Sequence, residues 1–217
     1  MLFLSLFSNG PIYIVYFIIA LIVAITIHEF SHAWMSNQLG DPSPKLMGRL
    51  TLNPLAHLDP VGTIFLFLVG FGWGKPVPFN PNYFKREKLD TVLVALAGPF
   101  SNILTAIIFS LPTRILLLSG VQNLSNFWFL PLFDIIIILN LTLAAFNLLP
   151  IPPLDGSKLY HLFLDRETIF RMESMGPIIL IGVLLLSSFS SNFLIHIIYY
   201  IINLFLHIAP LSSPFIL

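Results

Sequence analysis

A continuous apolar stretch near the N-terminus constrains the fold of this chain more than any other feature. Residues 12–27 are all apolar except Thr26, and the helical pattern continues to about Met35. About 20 helical residues, each rising about 1.5 Å, cross the roughly 30 Å hydrocarbon core of a bilayer. Of the 217 residues, 57% are hydrophobic and 9% are charged, and a water-soluble domain cannot bury that much apolar surface. The sequence therefore predicts an integral membrane protein.

Two further stretches, residues 89–111 and 131–149, are also long enough to cross a bilayer. Residues 61–73 are apolar but measure only about 20 Å as a helix, so we expect them to dip into the membrane without crossing it. Residues 48–52 have a strand-like composition and predict a small sheet at the membrane edge. An edge strand there would be able to pair with an extended peptide segment.

The C-terminal third mixes charged and apolar residues before it becomes apolar again. Residues 159–175 predict an amphipathic surface helix, and residues 176–209 predict a hairpin of two short spans that turns at 187–192. We therefore expect an all-α polytopic membrane protein forming one domain over residues 1–217. We expect a three-helix core at about 12–160, a C-terminal helix and hairpin at 159–209, and a small β or re-entrant region. Residues 1–10 lack a basic segment, so we expect them to be retained.

Charge and cysteine content limit the chemistry that is possible. Ten basic and ten acidic residues give zero net charge, which argues against a nucleic-acid partner. Cysteine is absent, so metal ligands must come from His, Asp and Glu. In the predicted topology nine of the ten basic residues share one face and only Arg114 lies on the other. The positive-inside rule makes the first face cytoplasmic in a multi-pass protein of the cell membrane.

The first span ends in His-Glu-Phe-Ser-His, residues 28–32. Residues four apart share a helix face, so His28 and His32 are able to bind one metal ion while Glu29 lies beside it. A charged side chain within a bilayer costs about 2.5–3.5 kcal/mol, so the position of Glu29 indicates a functional role. Two histidines and an adjacent glutamate are typical of a hydrolytic zinc site, in which the glutamate is the general base.

A catalytic zinc ion needs a third protein ligand. The candidates are His57, Asp59, Asp134 and Asp155. We favour Asp155, because prolines at 150, 152 and 153 end the third span just before it and Gly156 permits a sharp turn. The second and third spans together cross the membrane twice. This even number of crossings returns Asp155 to the side of the membrane on which His32 lies.

Five motifs in order resemble the site-2 protease family of intramembrane zinc metalloproteases, peptidase family M50, in its compact bacterial and archaeal branch without a PDZ domain. They are residues 28–32 (HEFSH), 48–54 (GRLTLNP), 71–78 (FGWGKPVP), 97–102 (AGPFSN) and 147–156 (NLLPIPPLDG). The resemblance implies one Zn²⁺ per chain held by His28, His32 and Asp155, with Glu29 as general base. It also implies cleavage of transmembrane protein substrates near the cytoplasmic side, as in regulated intramembrane proteolysis.

The resemblance further implies that Asn147 holds an unwound substrate backbone. Asn102 has two interpretations: it binds substrate by polarising the scissile carbonyl, or it hydrogen-bonds a neighbouring helix. His57 is either a functional residue or a hydrogen-bonded loop histidine. Peptide hydrolysis also requires a polar cavity among the spans, and we expect residues 42–60 and 72–81 to form its walls.

Two other functions fit parts of the sequence. Intramembrane His, Glu and Asp residues also mark the pathways of metal-cation transporters, but here the polar candidates converge on a single site. A non-catalytic relative that binds membrane segments would keep the fold, yet Glu29 and all three proposed ligands are present. The sequence therefore favours a zinc metalloendopeptidase in contact with the lipid bilayer, and it carries no indication of an oligomeric state.

Overall fold

The computed structural model describes residues 10–69, 72–121, 123–189 and 193–212. Helices dominate this part of the chain, and it contains no β-sheet, which confirms the predicted all-α fold. The seven helices of nine or more residues are α1 (Pro11–Gln38), α2 (Pro60–Val69), α3 (Glu87–Leu118), α4 (Leu130–Asn147), α5 (Arg166–Ser174), α6 (Gly176–Phe189) and α7 (Phe193–Leu206).

Three of these helices, α1, α3 and α4, are long and apolar enough to cross a membrane, with 28, 32 and 18 residues. They correspond to the three predicted spans. In lipid a helix satisfies its backbone hydrogen bonds internally, so continuous apolar sequence is sufficient to specify each one. The three-span prediction is confirmed on length and composition.

The three long helices pack around one another and form the centre of the molecule. Small side chains allow this close approach: Ala20 of α1 is fully buried beside Ile135 and Ile136 of α4. On another face, Ala106 of α3 packs with α4 and with Ile202 of α7. The inner face of α1 therefore lies directly against both α3 and α4.

The short apolar segment is correctly predicted as too short to cross. Helix α2 has ten residues, which is about 15 Å at a rise of about 1.5 Å each, and it is not among the candidate spans. The predicted strand at 48–52 is wrong. Gly48, with φ +69°, ends a helical turn, and the Arg49 N–H bonds the Pro44 carbonyl at 2.8 Å. The described residues hold only an isolated bridge between Leu58 and Gly74.

The predicted amphipathic helix at 159–175 is two elements. A 3₁₀ segment, Asp155–Leu162, comes first, and α5 then begins where the Asp165 carboxylate accepts a 2.9 Å hydrogen bond from the Thr168 N–H. This cap starts a new helix instead of extending the first. Helices α6 and α7 occupy the predicted hairpin, whose turn lies partly outside the described residues. At the junction of α5 and α6 the axis bends by 56°.

Asp41, just after α1, ties that helix to the segment that follows Gly74. Its buried carboxylate accepts hydrogen bonds from the backbone N–H groups of Ser43 (2.9 Å) and Asn80 (2.7 Å) and from the Ser36 hydroxyl (3.1 Å). Burial alone raises the pKa of Asp41, but these hydrogen bonds outweigh burial and hold the pKa below its usual range.

We expect Asp41→Asn to lower stability by about 1–3 kcal/mol, because an amide cannot replace a carboxylate that accepts three hydrogen bonds. The folded-state pKa is depressed, so this stabilisation is complete above the usual pKa of about 3.9 and is lost as the pH falls through the folded-state value. The difference in Tm between wild type and variant, measured in detergent, should be constant from about pH 7 to 5 and shrink below about pH 4. The exposed Glu167→Gln is the control, and a pH-independent difference for Asp41→Asn would contradict this account.

Candidate active site

Three potential metal ligands converge between α1 and the 3₁₀ segment. His28 and His32 lie one turn apart on the inner face of α1, and their Nε2 atoms are 3.0 Å from each other. Asp155 Oδ2 lies 3.2 Å from His28 Nε2 and 3.3 Å from His32 Nε2. Ligands about 2.0–2.1 Å from a tetrahedral zinc ion are about 3.3 Å apart, so the three atoms are spaced as zinc requires.

The second ring nitrogen of each histidine fixes which nitrogen faces the centre. His32 Nδ1 lies 2.8 Å from the Val94 carbonyl, which only accepts, so the neutral ring carries its proton on Nδ1. His28 Nδ1 is 2.6 Å from Asn102 Oδ1, which likewise only accepts. Both Nε2 atoms therefore present lone pairs toward Asp155, the arrangement found in metal-binding histidines.

Two backbone carbonyls determine the orientation of Asn102. Its Nδ2 donates to the Ala24 carbonyl at 3.1 Å and to Asn140 Oδ1 at 2.7 Å. Asn140 Nδ2 in turn donates to the Ile136 carbonyl at 2.8 Å. Because carbonyls only accept, neither amide is able to flip, and Asn102 Oδ1 must face His28.

Asp155 Oδ2 is buried and accepts no hydrogen bond within the described part of the chain. Two imidazole lone pairs and a carboxylate oxygen thus face one another with no proton donor between them. Such a cluster is costly unless a cation occupies its centre. The donor set of two imidazole nitrogens and one carboxylate oxygen fits zinc, as does the spacing. Within the described ranges no other group of three His, Cys, Asp or Glu residues is placed to hold a metal.

Gly98 allows α3 to pass directly against both imidazoles. A Cβ at this position would lie 2.3 Å from His32 Nε2 and 2.7 Å from His28 Cε1. Gly156, which follows Asp155, is also closely packed, because a Cβ there would lie 2.3 Å from the Leu148 carbonyl oxygen at the end of α4. Both glycines are therefore required by close contact.

Glu29 lines a cavity of about 670 Å³ that also reaches all three potential ligands. One of its carboxylate oxygens, Oε2, accepts a 3.1 Å hydrogen bond from the Val77 N–H. The cavity wall is mostly apolar and includes residues of α1, α2, α4 and α6 together with the extended segment 72–79. Residues 72–79 are thus part of the wall as predicted, whereas no described residue from 42–60 is.

The two predicted substrate contacts differ in position. Asn147, at the end of α4, lines the cavity, and its Nδ2 donates to the Leu143 carbonyl at 3.0 Å. Asn102 is fully buried behind His28 and does not line the cavity. The geometry therefore favours the helix-bonding interpretation of Asn102.

The other candidates for the third ligand lie elsewhere. His57 is fully buried and donates from Nε2 to the Thr51 carbonyl at 2.8 Å, as a hydrogen-bonded loop histidine does. Asp59 accepts from the Gly62 N–H at 2.7 Å at the start of α2. Asp134, near the start of α4, binds Ser212. None of the three joins the cluster.

The sequence did not predict the role of two groups that help to orient the histidines: Asn140, which acts through Asn102, and the Val94 carbonyl, which contacts His32. Asn140 is visible in the sequence as a polar residue within a span, which is a signal for a buried polar contact. The Val94 carbonyl carries no such signal, because any residue at that position supplies a carbonyl.

Comparison with known proteins agrees with this chemistry. The family model for peptidase family M50 matches residues 112–189. "Putative zinc metalloprotease YwhC" of Bacillus subtilis is 43% identical over 169 residues, which cover 76% of this chain and 77% of that protein. The chain belongs to peptidase family M50. It is a membrane-embedded zinc metalloprotease with Zn²⁺ as cofactor.

More distant relatives carry a similar name. "Putative zinc metalloprotease Rip2" of Mycobacterium tuberculosis is 31% identical over 159 residues, and that of Mycolicibacterium smegmatis is 28% identical over 159 residues. Each alignment covers 68% of this chain but only 56% of the relative. No solved structure matches the chain.

We expect Gly98→Ala to reduce zinc binding sharply, because the added methyl group occupies the space of the His32 imidazole. Gly182→Ala is the matched control, since a Cβ at that helical glycine meets no atom within 4 Å. Metal analysis of both purified variants, alongside wild type, measures the effect. Stoichiometric zinc in Gly98→Ala would show that the histidines do not need this close approach.

Proposed function

We propose that this metalloprotease hydrolyses peptide bonds within or next to the transmembrane segments of substrate proteins. One observation carries the proposal: the candidate metal cluster and Glu29 open into a cavity whose mostly apolar wall includes side chains of α1 and α4, two helices long and apolar enough to cross a membrane. A soluble peptide does not need such walls, whereas a transmembrane segment buries its apolar side chains against them.

In this proposal His28, His32 and Asp155 hold the zinc ion. Zinc supplies Lewis acidity, which polarises a carbonyl and lowers the pKa of water. The chain itself orients these ligands, because Asn102 and the Val94 carbonyl keep the two imidazoles in the ligating tautomer.

Glu29 is the proposed general base. It follows His28 directly on α1 and reaches the cavity, where water and a peptide carbonyl would meet. Its carboxylate takes a proton from the attacking water as oxygen bonds the carbonyl carbon. The same group then delivers that proton to the leaving amine nitrogen as the C–N bond breaks.

A transmembrane helix hides its peptide groups in internal hydrogen bonds, so the substrate must unwind before attack. Asn147 is the proposed contact for the exposed backbone, because it lines the cavity as the last residue of α4. In the topology predicted from the sequence, nine of the ten basic residues lie on one face, which we propose is also the face of the cluster. This distribution supports a multi-pass arrangement with the site toward the cytoplasm.

We expect Glu29→Gln to retain zinc and folding while abolishing cleavage, since an amide cannot accept the proton. Asp155→Ala should instead lower zinc content, because it removes a ligand. Quantitative proteomics of cells that express wild type or Glu29→Gln identifies cleaved proteins, and terminal sequencing maps the cut sites.

Asp165→Asn, an exposed change at the start of α5, is the control for Asp155→Ala. Cleavage by Glu29→Gln at the wild-type rate would remove Glu29 from the mechanism. Cut sites confined to soluble domains would contradict the proposed substrate class.

The two asparagines should separate substrate binding from metal binding. Asn147→Ala should raise KM on a transmembrane peptide that contains a mapped cut site, with zinc affinity unchanged. Asn102→Ala should weaken zinc affinity about 10–100-fold, the usual cost of losing a partner of a ligating histidine. Competition with a chelator measures zinc affinity. A raised KM in Asn102→Ala together with weakened zinc affinity in Asn147→Ala would reverse the two roles.

A further inference from the structure

Arg49 is a buried cation for which the mechanism above has no use. Its side chain belongs to the GRLTLNP motif and is 5% exposed. Within the described residues it forms no ion pair with a carboxylate. Its guanidinium instead donates to three backbone carbonyls: Nη1 to Ala56, and Nη2 to Lys75 and to Pro76, the last at 2.5 Å. A buried charge without hydrogen-bond partners is strongly unfavourable, and the three carbonyls supply those partners.

The Pro76–Val77 peptide joins Arg49 to Glu29. Its carbonyl oxygen accepts from the Arg49 guanidinium, and its N–H donates to Glu29 Oε2 at 3.1 Å. A cation and an anion thus bind the two ends of one peptide dipole. Charge-assisted hydrogen bonds of this kind are stronger than neutral ones and polarise each other.

The local sequence leaves Val77 as the donor at this place. Pro76 and Pro78 have no N–H group, and the Lys75 N–H already bonds the His57 carbonyl at 2.7 Å. Between residues 75 and 78, only the Val77 N–H is therefore free to meet Glu29. The segment also passes close to that side chain, because a Cβ on Gly74 would lie 3.4 Å from Glu29 Oε1.

We propose that Arg49 is a positioning residue for Glu29, acting through the Pro76–Val77 peptide. Arg49 clamps the extended segment to the turn at Ala56, and the clamped Val77 N–H holds the carboxylate in one orientation toward the cavity. The inference rests on the proposed function, because it assigns Glu29 as the base. Arg49 neither lines the cavity nor belongs to the cluster of potential metal ligands.

Loss of Arg49 should therefore reduce kcat while zinc content and KM stay within about twofold of wild type. We expect Arg49→Met to lower kcat about 10–100-fold, because a small displacement of a catalytic group has effects of that size. Arg49→Lys should recover part of kcat, since an ammonium replaces one contact but lacks the fork of donors. Arg171→Met, which removes an exposed arginine paired with Glu167, is the matched control and should match wild type.

A double-mutant comparison with Glu29→Asp distinguishes the positioning role of Arg49 from a purely structural one. The shorter aspartate side chain should lose the contact with the Val77 N–H. If Arg49 acts through Glu29, Arg49→Lys should lower kcat less in the Glu29→Asp background than in wild type. Equal fold-changes in the two backgrounds would overturn the proposal, as would an unchanged kcat in Arg49→Met. If Arg49→Met does not fold, Arg49→Lys alone carries the test. Cleavage by Glu29→Gln at the wild-type rate would show, as a separate result, that the proposed role of Glu29 is wrong.

Discussion

Three lone-pair acceptors that face one another inside a membrane protein make up the central physical constraint on this molecule. The Nε2 atoms of His28 and His32 and Oδ2 of Asp155 lie 3.0–3.3 Å apart, and no proton donor lies between them. Without a cation this arrangement is repulsive and poorly solvated. The zinc ion that we propose for this site would compensate it. In that case the surrounding helices assemble an electrostatically unfavourable site before metal binds, and metal binding would be coupled to their packing.

The packing around the histidines reflects that requirement. Gly98 brings the α3 backbone against both rings, while the Val94 carbonyl and Asn102 bind their outer nitrogens. Asn102 is itself oriented by α1 and α4 through carbonyl and amide contacts. All three long helices thus converge on the ligand geometry. A site held by several helices is more precise than one on loops, and precise ligand placement is what a catalytic metal needs.

The opposite side of the site is built from loop segments instead of long helices. Irregular backbone is tolerated at membrane depth where it is buried in protein or lines a cavity, and residues 72–79 form part of such a cavity wall. Arg49 donates hydrogen bonds to two carbonyls on that wall and to the Ala56 carbonyl, and the Val77 N–H donates to Glu29. Metal binding and proton transfer are accordingly supported by separate groups: helices hold the proposed ligands, and a clamped loop holds the proposed base. This separation is the reason that zinc content and turnover should respond independently to mutation.

Sequence alone was sufficient for the spans and for the HEFSH motif on α1, and it favoured Asp155, which the structure brings beside both histidines. Apolar length, helical periodicity and the parity of crossings are local or topological properties. Sequence failed at residues 48–52, where Gly48 and Arg49 bond locally instead of pairing with a strand. It also left Asn102 ambiguous and gave Arg49 no role. Those assignments depend on which carbonyls and amides meet across helices far apart in the chain. Only the tertiary structure decides such contacts, since a hydrogen bond is specified by distance and direction in space and not by spacing along the sequence.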